Sequence, residues 1–146
     1  MRITYRGDYA LKTILDLALH YGEMPVAIHD LARRADIPTK FLEQILLDLK
    51  RAGFVESRRG KFGGYLLAQP PSQIKLGEII RFIDGPIGPV ACVDRHYKGC
   101  KDINKCIFRS IWEKISEATA KVIDNITFED LVKKTKSFNS TFVYQI

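Results

Sequence analysis

The chain has 146 residues, a formal net charge of +6 at pH 7, a hydrophobic share of 46% and a charged share of 27%. This composition is typical of one globular domain that buries a core without disulfide support. No apolar run approaches the roughly 20 residues that cross a bilayer, and the first residues lack the apolar centre of a signal peptide. We therefore expect a cytoplasmic protein with no membrane contact. The basic charge permits a nucleic-acid partner but does not by itself indicate one.

The first part of the chain predicts three helices. Apolar residues at helical spacing predict helices over residues 9–21 and 28–35. After a short break, a third helix is expected over residues 39–52, with Thr39 as its N-cap. The side chains expected to be buried by this third helix are Phe41, Leu42, Ile45, Leu46 and Leu49.

A basic hairpin is expected to follow the third helix. Two β-prone runs, residues 54–57 and 64–68, flank a glycine-bearing basic segment over residues 58–63. Short helix, tight turn, longer helix and hairpin, in this order, are typical of a winged helix-turn-helix. The fold class predicted from the sequence is therefore mainly α, with a small β-hairpin wing.

In this fold the N-terminal half of the third helix enters the major groove of DNA. Gln44 can pair with adenine, and Glu43 can accept a hydrogen bond from the cytosine amine. An arginine at the wing tip suits an adjacent narrow A·T minor groove. The residues expected to contact DNA are Thr39, Lys40, Glu43, Gln44, Lys50, Arg51, Arg58, Arg59 and Lys61. The alternative is a helical core whose basic residues form an ordinary solvated face.

The second part of the chain predicts a helix over residues 76–83, a polar loop, and a long helix over residues 106–126. The long helix carries an apolar stripe that a small domain cannot cover on its own. Thr127 and Asp130 predict a capping box for a short last helix, with an irregular tail or short strand over residues 137–146. We expect a DNA-binding domain at 1–70, a connecting segment at 71–105 and a dimerisation segment at 106–146.

Cys92, Cys100 and Cys106 lie within fifteen residues and are the only cysteines of the chain. An odd, clustered set argues against a disulfide framework. Three thiolates suit an iron–sulfur cluster or zinc and leave one ligand to be found. The alternatives are a structural zinc, a redox pair with one spare thiol, or cysteines without a role. No Cys-x-x-Cys pair, phosphate-binding glycine loop or Ser-His-Asp set is visible, so we do not expect an enzyme.

The whole chain resembles the Rrf2 family of bacterial winged-helix transcription regulators, and within it the iron–sulfur members of the IscR and NsrR types. The resemblance implies a homodimer that binds an imperfect palindrome in double-stranded DNA, with the long helix crossing its mate. The segments that carry the resemblance are residues 1–4, 7–10, 41–45, 58–60, 63–66, 76–80 and 126–127.

The resemblance also implies how the fourth ligand is supplied. IscR-like members place a histidine three residues after the third cysteine, where this chain has Arg109, and a guanidinium cannot ligate. NsrR-like members use an aspartate of the other subunit, and Asp8 stands at that place. This favours a [4Fe–4S] over a [2Fe–2S] cluster, with zinc as the alternative. His96, inside the loop, and His29 are rival ligands.

The expected function is a DNA-binding transcription regulator, acting as a repressor. Its operator affinity would be controlled by an iron–sulfur cluster that senses nitric oxide, redox state or iron–sulfur status. The alternative is a winged-helix regulator that is controlled by a protein partner or that carries a structural zinc.

Overall fold

A computed structural model describes residues 1–143, with side chains described up to residue 141. It confirms a mainly α fold with one antiparallel hairpin. None of the helices in this described part combines the length and the apolar character needed to span a bilayer. The elements are α1 (Tyr5–Leu19), α2 (Ile28–Ala35), α3 (Thr39–Arg51), β1 (Val55–Arg58), β2 (Gly64–Leu67), α4 (Leu76–Asp84), α5 (Arg109–Ile123) and α6 (Phe128–Val143), with 3₁₀ turns at Pro71–Gln73 and Ala91–Val93.

Helix α3 packs its apolar face into the main core, as its periodicity predicts. The buried residues of α3 are Leu42, Ile45, Leu46 and Leu49. Two expectations for this helix are wrong. Phe41 is 63% exposed, because at 100° per residue it lies about 90° away from the centre of the buried face. Thr39 is the first helical residue, and Pro38 occupies the cap position without a side-chain hydrogen bond.

The wing is a regular hairpin with Val55 opposite Leu67 and Arg58 opposite Gly64. It is fixed to the connection between α1 and α2, since the backbone groups of Val26 and Tyr65 exchange two hydrogen bonds of 2.8 Å. A Cβ atom at Gly64 would stand 2.3 Å from the carbonyl oxygen of Val26. Only glycine therefore lets the wing approach the helical core this closely.

Helix α1 begins four residues earlier than its apolar pattern predicts. Thr4 is the N-cap, and its hydroxyl accepts a hydrogen bond from the backbone N–H of Gly7. The first turn carries polar or exposed side chains, so it lacks the apolar spacing that marks the rest of the helix. This earlier start places Asp8 in the first turn of α1.

The C-terminal helix returns to the DNA-binding unit. Phe128, the first residue of α6, is fully buried in the main core cluster. Its N–H donates to the carbonyl of Ile74, and the N–H of Leu76 donates to the carbonyl of Ile126. The predicted capping box is confirmed, because Thr127 and Asp130 exchange hydrogen bonds at the start of α6.

The C-terminal tail expected to be irregular or a short strand is helical instead as far as Val143, and residues 144–146 lie outside the described part. The long helix predicted over 106–126 is shorter at both ends, since α5 spans only Arg109–Ile123. The expected domain boundaries near residues 70 and 105 stay a prediction.

Candidate nucleic-acid interface and metal centre

The face of α3 opposite the core is accessible and mainly polar, although it also exposes Leu47. Lys40, Glu43 and Gln44 are exposed on its N-terminal half, and Thr39 is half-buried. Lys50 and Arg51 are exposed near its C-terminal end. Apart from Phe41, which was expected to be buried and is exposed, this division agrees with the one predicted from the sequence. The residues proposed to meet bases and those proposed to meet phosphates lie on one accessible side of the helix.

The wing extends this surface and is tied to α3 by Lys50, whose Nζ donates to the hydroxyl of Ser57 at 2.6 Å. Two wing arginines differ in their surroundings. Arg58 donates to the carboxylate of Glu56 at 2.8 Å, whereas Arg59 has no ion pair within residues 1–143. Arg59 and Lys61 are exposed at the tip. Arg59 is therefore the wing arginine whose charge is available to a phosphate or a minor groove.

An aromatic cleft that the sequence did not predict lies between the start of α1 and α3. Tyr5, Tyr9, Phe41 and Gln44 line a cavity of about 530 Å³, and Tyr5 is 83% exposed. Arg6 also lines the cleft and forms an ion pair with Asp48 of α3. The exposed tyrosine and phenylalanine near Gln44 enlarge the surface that surrounds the N-terminal half of α3.

The three cysteines are free and half-buried. They are not gathered, since within residues 1–143 no three His, Cys, Asp or Glu side chains are arranged to hold one metal ion. The loop that carries them is tied to α5 near both ends. The hydroxyl of Ser116 donates to the carbonyl of Ile87 before Cys92, and Arg109 donates to the carbonyl of Ile103.

Arg109 supports the end of the cysteine loop. Besides the hydrogen bond to Ile103, its Nε donates to Glu113 at 2.9 Å. A cation at the first residue of a helix opposes the helix dipole, and these two contacts offset that cost. Arg109 therefore fastens the loop to the first turn of α5.

The candidates for the fourth ligand differ in accessibility and contacts. Asp8 is half-exposed, and its carboxylate lies 2.7 Å from the Nζ of Lys12. This hydrogen-bonded pair raises the pKa of Lys12 above its ordinary value. His96 is exposed within the loop, and its backbone N–H donates to Asp94. His29 is exposed in the first turn of α2. None of the three is buried in a way that would hide it from a metal.

Helix α5 leaves most of its apolar side chains uncovered in the single chain. Only Ile123 is buried on this helix, packed with Ile80 and Ile87. The exposed apolar residues on α5 and just before it are Ile107, Phe108, Ile111, Ile115 and Val122. A stripe of this size on a monomeric protein marks a contact surface.

Two contacts connect the elements around the cysteine loop, one an ion pair and the other a pair of hydrogen bonds. Arg81 of α4 donates to both carboxylate oxygens of Asp124, at 2.5 and 2.9 Å, just after α5. Asp84, at the end of α4, accepts hydrogen bonds from Thr4. The sequence analysis predicted neither contact. The sequence does show a glycine within each of the helices α1 and α4, Gly7 and Gly77, and in the structure a Cβ atom at these positions would collide with Asp84 and Asp124 respectively.

Comparison with known proteins supports the regulatory interpretation. Residues 3–134 match the model of the Rrf2 family, described as an iron-dependent transcriptional regulator. The chain is 36% identical over 132 residues to the HTH-type transcriptional regulator IscR of Yersinia pseudotuberculosis, a match that covers 90% of this chain and 79% of that protein. IscR of Serratia proteamaculans matches with the same identity and coverage.

Solved structures agree with this similarity. CymR (YrzC), the global cysteine regulator of B. subtilis, aligns with a TM-score of 0.76 at 34% identity, over 92% of this chain and 98% of that one. IscR of T. potens aligns with a TM-score of 0.72 at 34% identity, over 92% and 88%. These relatives are transcription regulators and not enzymes. With a match over 90% of its length, on the winged-helix fold described above, the chain belongs to the Rrf2 family of DNA-binding transcription regulators.

Proposed function

We propose that the protein is a cytoplasmic, homodimeric repressor whose operator affinity depends on an iron–sulfur cluster held by Cys92, Cys100 and Cys106. One observation carries the proposal. Three free, half-buried thiols lie on a loop that joins the end of the DNA-binding unit to a helix with an uncovered apolar stripe. A change at the thiols is therefore placed where it can alter how two DNA-binding units face each other.

The DNA-reading surface consists of α3 and the wing. Gln44 and Glu43 supply donors and acceptors for base edges in the major groove, while Lys40, Lys50 and Arg51 suit phosphates. Arg59 suits an adjacent minor groove. Recognition helices paired in a dimer read an imperfect palindrome, because the symmetry of the protein is mirrored by the symmetry of its site.

The uncovered stripe of α5 supports the homodimer. Ile111 and Ile115 lie one helical turn apart on the same face, and both are more than 40% exposed. A second copy presents the same stripe, so a two-fold axis along this face buries both at once. The proposal further requires that the cysteine loop of one subunit lies beside the first helix of the other.

The donor chemistry of the loop fits an iron–sulfur cluster. Thiolates are the ligands that such clusters use, and none of the three cysteines is consumed by a disulfide. Arg95, Lys98, Lys101 and Lys105 are exposed around them and offset the negative charge of a thiolate-ligated centre. The loop contains only turn-like backbone hydrogen bonds between its two anchors, so metal binding can order it.

Asp8 of the partner subunit is the proposed fourth ligand. Its carboxylate is half-exposed in the first turn of α1 and has only the Lys12 ammonium as an ion-pair partner within the described residues. When bound, a [4Fe–4S] cluster with one carboxylate ligand supplies an iron atom that exchanges this ligand and is open to nitric oxide or oxygen. Release of Asp8 would free the N-terminus of α1, and with it the DNA-binding unit, from the partner's loop. This supplies the differential contact that a switch requires.

A second candidate is a regulator of the same fold that carries zinc, or that is controlled by a protein partner. The observation that the three thiols are not gathered in the described residues of the single chain favours control by a protein partner, while zinc would need the same three thiols to converge. In this case operator binding is insensitive to oxygen and to nitric oxide.

The test is anaerobic purification followed by absorption spectroscopy, iron and sulfide analysis, and operator binding before and after removal of the cluster. We expect a coloured protein with about four iron atoms per chain and a loss of operator affinity on removal of the cluster. Colourless protein that contains zinc, or equal operator affinity in both forms, would contradict the proposal. A Cys92→Ser variant, purified in parallel, shows whether the colour depends on the loop.

A further inference from the structure

The tip of the wing carries an aromatic side chain where turns usually carry polar residues. The N–H of Gly63 donates to the carbonyl of Gly60 at 3.0 Å, which closes a four-residue turn. Lys61 and Phe62 are its two central residues. Phe62 is 70% exposed, and the Nζ of Lys61 lies 5.6 Å from the centroid of its ring.

Folding of the chain does not account for Phe62. Turn positions favour Gly, Pro, Asn, Asp and Ser for backbone and hydrogen-bonding reasons, and an exposed phenyl ring leaves apolar area in water. Phe62 is absent from the buried clusters and from the apolar residues packed against them. The ring borders a shallow surface depression that it shares with Met24. Its contribution is therefore to be sought in a contact with another molecule.

The surroundings of the ring indicate the chemistry of that molecule. Arg59 and Lys61 are exposed on the same tip, so the tip is cationic, and the ammonium of Lys61 lies over the ring of Phe62. Polyanionic DNA complements the cations, while the flat faces and edges of its bases complement the ring. A cationic tip that carries one apolar wedge is the combination with which minor-groove proteins partly unstack a base step.

We infer that Phe62 is a minor-groove wedge: when the wing enters the groove, its ring presses into one base step, partly unstacks it and bends the operator at each flank. Arg59 lies in the groove and Lys61 contacts a phosphate while the ring makes this contact. The inference rests on the proposed DNA-reading role of the wing. It adds indirect readout, since flexible pyrimidine–purine steps are unstacked at lower cost than A-tracts.

The experiment uses full-length protein and a duplex selected from a random-sequence library by wild-type protein. The base analogue 2-aminopurine is placed at successive flanking positions, and its fluorescence reports unstacking. Bending is measured by energy transfer between the duplex ends. We expect a fluorescence maximum at one flanking step, and a bend of at least about 20°. In Phe62→Ala both are lost and affinity falls about tenfold, whereas Phe62→Leu, which retains an apolar wedge, keeps part of each.

Met24→Ala is the matched control, because Met24 is also an exposed apolar residue, at 65%, on the same depression but away from the tip. It should bind and bend as the wild type does. A flanking mismatch at the unstacked step should strengthen binding by the wild type more than binding by Phe62→Ala. If Phe62→Ala bends and unstacks the duplex as the wild type does, the wedge is refuted, and the tip is left for a protein partner. If wild-type protein selects no duplex at all, the DNA-reading role itself fails.

Discussion

Thr4 and Asp84 lie eighty residues apart in the chain and are joined by two hydrogen bonds. The backbone N–H of Thr4 donates to one carboxylate oxygen at 3.0 Å, and its hydroxyl donates to the other. The same hydroxyl caps α1 through Gly7. Asp84 also ends α4 and leads into the cysteine loop. One carboxylate therefore positions the first turn of α1, which holds Asp8, relative to the start of the loop of its own subunit.

We expect Asp84→Ala to loosen the first turn of α1. Its loss removes the acceptor for Thr4 and weakens a helix cap, which costs about 1 kcal/mol of unfolding free energy. Urea unfolding of the metal-free protein measures this cost, and amide hydrogen exchange should show faster exchange in residues 5–10. Glu23→Gln, an exposed carboxylate without a side-chain hydrogen bond in the described residues, is the control. Unchanged exchange at these amides would show that Asp84 does not hold the helix.

The fourth ligand is tested by comparing Asp8→Ala with His96→Ala. If Asp8 of the partner subunit ligates the cluster, its loss should shorten the lifetime of the cluster under trace oxygen by about tenfold or more, and His96→Ala should have little effect. Anaerobic absorbance and iron counting give the answer directly. A protein bleached only by His96→Ala would assign the ligand to the loop itself and remove the link between subunits.

The two wing arginines should differ in their effect on DNA binding. Arg58 shares its charge with Glu56 across 2.8 Å, whereas Arg59 is exposed without an ion pair in residues 1–143. We expect Arg59→Ala to weaken operator binding by about 1–3 kcal/mol and Arg58→Ala to weaken it less. An equal loss of operator affinity in the two variants would show that Arg58 contacts DNA as well.

Lys40 is tested by titrations at several salt concentrations. Lys40→Ala should reduce the slope of log affinity against log salt concentration by about one.

The decrease in the free energy of unfolding at acidic pH should depend on Asp124. Hydrogen bonds from Arg81 hold the pKa of Asp124 below its ordinary value, and the N–H and hydroxyl of Thr127 do the same for Asp130. A carboxylate whose pKa is lowered by folding stabilises the folded state above its unfolded pKa, about 3.9, and this contribution is lost as pH falls through the folded value.

The contribution of these two carboxylates to the free energy of unfolding, measured by urea, should therefore stay constant between pH 7 and 5. It should decrease below about pH 4. Asp124→Asn should be less stable at pH 7 and lose less on acidification, since it has no charge left to neutralise. Parallel curves for the wild type and Asp124→Asn would show that the pair with Arg81 does not carry this pH dependence.

Dimer formation should depend on the stripe of α5. Ile115→Glu places a charge in the proposed two-fold contact, and we expect a monomer in sedimentation equilibrium, with operator affinity reduced about a hundredfold or more because half-sites then bind singly. Glu117→Lys, at an exposed position of the same helix about 120° around from Ile111, reverses a charge away from the stripe and should leave the dimer intact. If the wild-type protein is itself a monomer, the proposed homodimer is wrong.

Periodicity predicted those elements whose apolar residues face one core. It predicted α2 at its observed bounds and the end of α3 to within one residue. The two strands of the wing were also predicted to within one residue at each end. It failed where packing is not the reason for the structure. The first turn of α1 is set by Thr4 and Asp84, two polar residues far apart in sequence. The end of α6 is rich in Ser and Thr, whose hydroxyls bond back to carbonyls within the helix.

The candidate site was predictable in its residue types but not in its arrangement. Three cysteines in one loop are visible from spacing alone, whereas whether they meet depends on a loop held by Ser116 and Arg109. The exposure of Phe41 was mispredicted because an apolar residue at the edge of a helical face fits either side. The residue type of Arg109 shows that it cannot ligate, but its contact with the carbonyl of Ile103 depends on the path of the loop and is not visible in the sequence.

The burial of Phe128 has a consequence for engineering and for evolution. Because this residue, far along the chain, lies in the same buried core cluster as residues of α1 and α3, the first seventy residues do not form that core on their own and cannot simply be exchanged between regulators. A hybrid protein that joins residues 1–70 to an unrelated sensor domain would lack the Phe128 side chain in its core. New specificity in such proteins is therefore expected to arise by substitution on the surface of α3 and the wing, while the chain is inherited whole.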